Sequence, residues 1–220
     1  MCTSSRLRQL LHPFGFDPSP AQAEQINAYL DLLIRWNQKI NLTAIRNPQE
    51  CVTRHFGESL LVVKFLPLQG SLLDIGSGAG FPGLALKIAF PALSVTLLEP
   101  VAKKRAFLKE AARVAGLEPI TARADRLEDW VAANPSPSFD FVTMRAVGNL
   151  EQILPLIAHH CLKPGAQLLL WLSQQQGQQL QTIETGVAWT DPLPIPLTRA
   201  AEIWRGIKPS THNLDPGKAD

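Results

Sequence analysis

Two acids and a cluster of glycines are the residues whose type and spacing best suit them to chemistry. Leu72 to Gly83 reads Leu-Leu-Asp-Ile-Gly-Ser-Gly-Ala-Gly-Phe-Pro-Gly. An apolar run breaks into a glycine-dense turn, and Pro82 then suits the first turn of a helix. Strand, tight loop and helix start form the layout that brings backbone N–H groups close to a small ligand. Gly76, Gly78 and Gly80 lack a Cβ, so the loop can take positive φ and admit a ligand against the chain. About twenty residues further on, Val95-Thr-Leu-Leu-Glu99 is a second apolar strand ending in a carboxylate.

Two kinds of ligand fit such a loop. Gly78, Gly80 and Gly83 satisfy G-x-G-x-x-G, which would make the chain an NAD(P)-dependent oxidoreductase. Asp74 argues against it, because its carboxylate would face a dianionic pyrophosphate. S-adenosylmethionine (AdoMet) carries an ammonium and a sulfonium instead, and a nearby carboxylate suits both. Glu99 is then placed to accept both ribose hydroxyls. The plain alternative is an ordinary strand–helix turn with an incidental acid, but both acids fall at strand ends. The expected cofactor-binding residues are Asp74, Gly76, Ser77, Gly78, Gly80, Phe81, Glu99, Ala124, Asp125 and Arg145. Ala124 and Asp125 are assigned to the adenine, and Arg145 to the border of the methionine end.

These residues need a sheet to bring them together, and the chain has the pattern for one. From Ser71 strand and helix alternate: helix 82–90, strand 94–98, helix 101–115, a short strand near 119–122 and a brief helix after Asp125. Asn134 to Ser138 reads as a loop, Phe139–Met144 as a strand, 149–161 as a helix and Gln167–Leu172 as a buried strand. Four strand ends would then converge on one crevice, as ligand sites of parallel sheets do. The fold expected is α/β, with a Rossmann-like, mostly parallel sheet and helices on both faces.

Before the sheet, roughly residues 1–70 read as an all-helical cap. Residues 4–12 can form a short helix, and Ser19-Pro20-Ala21-Gln22 has capping-box spacing. Ile26, Tyr29, Leu30, Leu33, Trp36 and Ile40 then make one apolar stripe. Asn47-Pro48 opens a further helix running to Pro67. The AdoMet-binding core is expected over 71–207, with Thr185–Trp189 and Glu202–Ile207 as closing strands. Gln174–Gln181 can be helical, and 208–220 is expected to be a disordered tail.

At 220 residues with 45% hydrophobic and 18% charged residues, the composition is that of a globular protein with one good-sized core. Cys2, Cys51 and Cys161 are few, odd in number and far apart, which fits a reducing cytoplasm and gives no metal-ligand spacing. Cys51 and Cys161 read as small buried hydrophobes. No apolar run reaches membrane-spanning length and the start lacks a signal-peptide core, so no membrane partner is expected. A net charge of +2 does not by itself argue for nucleic acid, but its distribution is uneven. Lys103, Lys104, Arg105, Lys109 and Arg113 crowd one helix, and Arg35, Lys39, Arg46 and Arg54 precede the glycine loop. Such runs are either solvated faces or phosphate contacts.

With these motifs in hand, the chain resembles the RsmG (GidB) family of methyltransferases of small-subunit ribosomal RNA. Trp36-Asn37…Asn41-Leu42-Thr43 is similar to the family's W-N-x-x-x-N-L-T, and Asp74 to Gly83 to its D-x-G-[ST]-G-x-G-x-P-G. Arg54-His55-Phe56-Gly57-Glu58-Ser59 resembles R-H-x-x-D-S with Glu58 in place of aspartate. Glu99–Phe107 is similar to the family's acid-S-x-x-K-[RK]-x-x-F with Pro100 in place of the small polar residue, and Thr143–Ala146 resembles S-R-A. The likeness covers about 20–172; Ser173-Gln174 stands where the family has Lys-Gly, and the closing strand from Arg199 is barely similar.

The resemblance implies a class I AdoMet-dependent methyltransferase fold and transfer of a methyl group from AdoMet to N7 of one guanine in 16S ribosomal RNA, free or within the small subunit. A monomer is expected separately, without support from the motifs. N7 carries a lone pair and no proton, so no general base is assigned, and in-line positioning is the main task. Asn41, Arg46, Arg54 and His55 are expected at the RNA-facing mouth, with Lys103, Lys104 and Arg105 beside it. His55 reads equally as a partly buried link between cap and sheet, and Trp36 more readily as core than as a stacking platform. Arg145→Ala is expected to cut transfer while leaving stability nearly unchanged. A noncatalytic AdoMet- or RNA-binding module is the other class left open, on the divergent C-terminal motifs.

Overall fold

A computed structural model describes residues 2–64, 66, 69–136, 139–146, 148–198 and 201–210. The first strands are β1 (Gly70–Ile75), β2 (Leu93–Leu98) and β3 (Ile120–Arg123). Next come β4 (Phe139–Arg145), β5 (Leu162–Ser173), β6 (Ala188–Trp189), β7 (Leu193–Pro194) and β8 (Ala201–Ile207). The order is β3-β2-β1-β4-β5-β8-β6, with β7 also paired to β8. Strands β1 to β5 are mutually parallel, whereas β8 runs antiparallel to β5. The order reverses between β1 and β4, which opens a crevice beyond their carboxyl ends, the usual ligand position in such sheets.

Helices cover both faces. The cap comprises α1 (Ser4–Leu11), α2 (Pro20–Asn37), α3 (Pro48–Cys51) and α4 (Glu58–Leu60). The crossovers are α5 (Gly83–Ala89), α6 (Ala102–Val114), α7 (Leu127–Ala133), α8 (Leu150–His160) and α9 (Gln174–Leu180). Ser19 caps α2 with the reciprocal bonds that its capping-box spacing predicts, and Ser173 with Gln176 does the same for the glutamine-rich α9. The stripe on α2 is buried through Ile26, Tyr29, Leu30 and Leu33, while Trp36 and Ile40 are half-buried at its edge. One continuous apolar cluster joins the cap to α5, α6 and one face of the sheet; α7, α8 and α9 pack against the other.

The helix expected from Pro48 to Pro67 is not regular. A π-helical turn, Val52–Gly57, separates α3 from α4, and a 3-10 turn, Leu61–Lys64, follows. Packing accounts for the distortion: Phe56 is wholly buried, and a Cβ on Gly57 would lie 2.5 Å from the Phe14 ring. Such turns occur often at functional positions, and this one carries Arg54 and His55. Pro67, Ser138 and Arg199 lie outside the described residues.

The tail expected from 208 needs a correction at its start. Lys208 Nζ donates to the carbonyls of Ala158 and Leu162, at 2.8 Å each, and its backbone pairs with Ala166 and Gly165. Residues 211–220 lie outside the described residues. Cys51 and Cys161 are buried as expected, and burial pushes their thiols up to about 11 and about 12. Among the described residues no helix is long and apolar enough to cross a membrane.

Candidate cofactor site

The carboxyl ends of β1, β2 and β3 enclose a cleft of about 160 Å³ lined by Ile75, Gly76, Leu98, Pro100, Asp125, Arg126, Leu127, Glu128 and Ile153. Its walls are largely apolar and its mouth carries acids, suiting a flat base with polar edges. Of the expected cofactor residues, Gly76 and Asp125 line it directly. Glu99 stands at the end of β2 and accepts hydrogen bonds from Gly78 N through Oε2 and from Val101 N through Oε1, both at 2.9 Å. Each oxygen keeps acceptor capacity, as two ribose hydroxyls require. Arg105 Nη1 donates to the carbonyls of Glu99 and Pro100, so this cation fixes the turn after β2.

The other expected residues sit elsewhere. Asp74 is wholly buried, accepting from Thr143 Oγ1 at 2.8 Å and from Gly83 N at 3.3 Å. Its carboxyl, pushed up to about 6 by burial, with Thr143, Ser77 and Gly83 opposing, braces β4 and the start of α5 instead of rimming the cleft. Ser77 is buried and donates to Asp74 O. Gly80 and Phe81 turn into the cap, where Phe81 stacks on Tyr29 and His55. Ala124 is exposed beside Asp125, whose Oδ2 lies 3.1 Å from Arg123 Nε.

Arg145 belongs to a separate cluster. Its Nη2 donates to Glu58 Oε2 at 2.6 Å and to Arg54 O at 2.8 Å, while Arg54 Nε lies 2.6 Å from Glu58 Oε1. Glu58 is almost fully buried, and Trp171 Nε1 donates to its carbonyl at 2.8 Å. Burial raises the Glu58 carboxyl and the two arginines oppose that rise. Removing Arg145 would strip a buried carboxylate of its main partner, so the geometry argues for a stability loss in Arg145→Ala where the sequence suggested almost none. Arg145 Nη1 is also buried without a hydrogen-bond partner, a donor available to an incoming acceptor.

The residues expected to face RNA split likewise. Asn41, Arg46 and Lys103 are exposed and Lys104 is half-buried, whereas Arg54 is held against Glu58. His55 is half-buried, stacked on Phe81 and bonded through Nε2 to Thr43 Oγ1 at 2.8 Å. Burial, with Arg145 and Arg54, lowers its pKa to about 4, so the ring is neutral at pH 7. The linking role suits that geometry.

The loop's own hydrogen bonds bear on the choice of ligand. Gly76 N and Ser77 N donate to Leu98 O, Gly80 N to Ser77 O, and Gly78 N to the Glu99 carboxylate. Donors that would cradle a pyrophosphate are thus engaged, and an acid occupies the position a phosphate would need. Open glycine backbone, Glu99 and Asp125 fit the ribose and adenine of AdoMet.

Residues 22–191 match the GidB family, described as rRNA small subunit methyltransferase G. The chain belongs to this family. It is 39% identical over 195 residues, 88% of this chain and 89% of the relative, to ribosomal RNA small subunit methyltransferase G of Stenotrophomonas maltophilia. The protein of that name from Desulforamulus reducens is 38% identical over 177 residues, covering 79% of this chain and 72% of the relative. Among solved structures, a SAM-dependent methyltransferase from Aquifex aeolicus superposes with a TM-score of 0.59 at 15% identity, over 76% of this chain and 97% of that one. This GidB-family chain therefore has a class I methyltransferase fold, takes AdoMet as cofactor and is a small-subunit rRNA methyltransferase.

Sequence reasoning overlooked Tyr29, Glu58 and Thr143 as parts of this arrangement. Tyr29 offered a signal, since a tyrosine hydroxyl in the middle of an apolar stripe needs a buried partner. Glu58 and Thr143 offered none beyond motif membership, because their partners lie 87 and 69 residues away.

Proposed function

We propose that this enzyme methylates N7 of one guanine of 16S ribosomal RNA, acting as a monomer on RNA presented free or in the small subunit. AdoMet supplies an electrophilic methyl group. Glu99 holds its ribose hydroxyls, Asp125 accepts from the adenine amine, and the buried Asp74 favours positive charge near the loop. Arg145, oriented by Glu58, offers Nη1 to an acceptor at the β4 end. N7 has no proton to lose, so the chain has only to hold the base in line and keep water out. That chemistry is compatible with His55, a weak base already bonded to Thr43.

Arg35, Lys39, Lys103 and Lys109 are exposed on α2, the turn after it and α6, and support an RNA-binding track over these helices. Asn41 and Arg46 would extend it. The observation that carries the reading is the Glu99 carboxylate bound to Gly78 N, between Leu98 and Pro100, which both line the cleft. The test is incubation of the protein with labelled AdoMet and undermethylated 16S RNA or small subunits, followed by mapping of the product. Label at N7 of a single guanine is expected. Label at another atom overturns the N7 reading, and AdoMet binding without transfer favours a noncatalytic module.

A further inference from the structure

We propose that Tyr29 is a positioning residue for the cofactor loop, and that the helical cap holds this loop in its ligand-accepting form. The inference rests on the cofactor site, not on the N7 reading. Tyr29 is the chain's one tyrosine, and it is wholly buried on α2. Its hydroxyl donates to the carbonyl of Ala79, in the middle of the glycine loop. Its ring lies parallel to that of Phe81, with centroids 5.2 Å apart and planes 1° apart. Phe56 meets Phe81 edge-on at 4.9 Å. Gly80, between Ala79 and Phe81, has φ +88°, and a Cβ there would lie 2.2 Å from Tyr29 Oη. The hydroxyl thus occupies space that any other residue at 80 would need.

A second arm leaves the same helix eight residues later. Asn37 Oδ1 accepts from Leu42 N and Thr43 N, at 2.9 and 3.0 Å, and its Nδ2 donates to Thr43 O at 2.9 Å. Thr43 Oγ1 then reaches His55, which stacks on Phe81 at 4.9 Å. Both arms of α2 therefore end on the loop segment Ala79–Phe81. Immediately before that segment, Gly78 presents its N–H to Glu99. Fixing Ala79 and Phe81 restricts the backbone that aims Gly78, so cap side chains set the shape of the cofactor's seat without touching the cofactor.

Phenylalanine would fill the same volume as Tyr29, which makes Tyr29→Phe the discriminating variant. Full-length protein is titrated calorimetrically with S-adenosylhomocysteine, and amide exchange over 76–81 is followed without ligand. Leu180→Ala, a core truncation in α9 on the other face of the sheet, serves as the stability control. With one buried hydrogen bond lost, Tyr29→Phe is expected to bind about 3- to 10-fold more weakly and to exchange faster over 76–81. Leu180→Ala should lose thermal stability and keep wild-type affinity. Thr43→Val, which breaks the second arm, should weaken binding less than Tyr29→Phe. Unchanged affinity and exchange in Tyr29→Phe, or an equal affinity loss in Leu180→Ala, overturns the proposal. If wild type does not bind S-adenosylhomocysteine, the cofactor assignment fails instead, and the exchange comparison still reports on the clamp.

Discussion

The glycine loop and the β3–α7 connection form two sides of the site, yet they are held by different means. Behind the glycine loop stand Tyr29 and Phe56 of the cap, both wholly buried, with the half-buried His55 beside them, an aromatic wall. The β3–α7 side has exposed Ala124 and Arg126, with Asp125 tied to Arg123 of its own strand end. A buried wall transmits any change of volume or charge, whereas a solvated rim relaxes around it. The same kind of substitution should therefore cost several-fold more on the first side than on the second.

The largest contrast should come from alanine at two positive-φ glycines. Gly80→Ala adds left-handed strain and a methyl 2.2 Å from Tyr29 Oη and 2.8 Å from Leu84. A loss of about 3 kcal/mol is expected, with S-adenosylhomocysteine binding abolished. Gly116, at φ +62°, has nothing within 4 Å of the equivalent methyl, so Gly116→Ala should cost about 1 kcal/mol of strain. Urea unfolding of the two variants checks the difference. Equal losses would mean that the clamp yields freely.

Charge should show the same asymmetry at smaller amplitude. Arg145→Ala leaves the buried Glu58 with only the half-exposed Arg54 opposite, for an expected loss of about 2 kcal/mol. Arg123→Ala, which breaks the solvated pair with Asp125, should cost less than about 1 kcal/mol. In the double variant Arg145→Ala, Glu58→Ala the losses should be less than additive, because the stranded carboxylate is gone.

His55 adds a pH dependence to the walled side. Its folded pKa of about 4 lies below the ordinary 6.5, so the unfolded chain takes up the proton first as pH falls. Stability from the neutral ring is full above 6.5 and is lost as pH falls toward 4. His55→Phe keeps a stacking ring and removes this titration. Wild type's advantage over the variant should therefore shrink by about 2 kcal/mol between pH 7 and 4.5. Asp74, with a folded pKa raised to about 6, works in the opposite sense. Its protonation favours the fold as pH falls, so the difference between variants is the informative quantity, not the wild-type profile.

Much of this was legible beforehand because it depends on local patterning. Short apolar-rich stretches ending in Asp74, Glu99 and Arg145 announced the parallel strands, and their order of appearance placed the strand ends together. Which acid faces the ligand was not legible. Asp74 and Glu99 both end apolar strands and both are buried, yet Thr143 of β4 draws the Asp74 carboxylate toward β4 while the N–H groups of Gly78 and Val101 hold that of Glu99 beside the glycine loop. That distinction depends on strand neighbours 69 residues apart, which periodicity does not register. The π-helical turn at Val52–Gly57 escaped for a similar reason: its cause is the Phe14 ring against Gly57, a contact between cap elements.

Asp125→Ala should give the smallest stability change and the cleanest separation of binding from folding. The carboxylate is half-buried and its arginine partner is half-exposed, so a loss below about 0.5 kcal/mol is expected. Its proposed bond to the adenine amine forms only in the complex, and S-adenosylhomocysteine binding should weaken about 3- to 10-fold. Tyr29→Phe is expected to lose a similar factor, but through faster exchange of the free loop. In Asp125→Ala the exchange over 76–81 should stay at the wild-type rate. Loosening of the glycine loop by Asp125→Ala would join the two sides into one mechanical unit, and the division between a walled side and a solvated one would no longer stand.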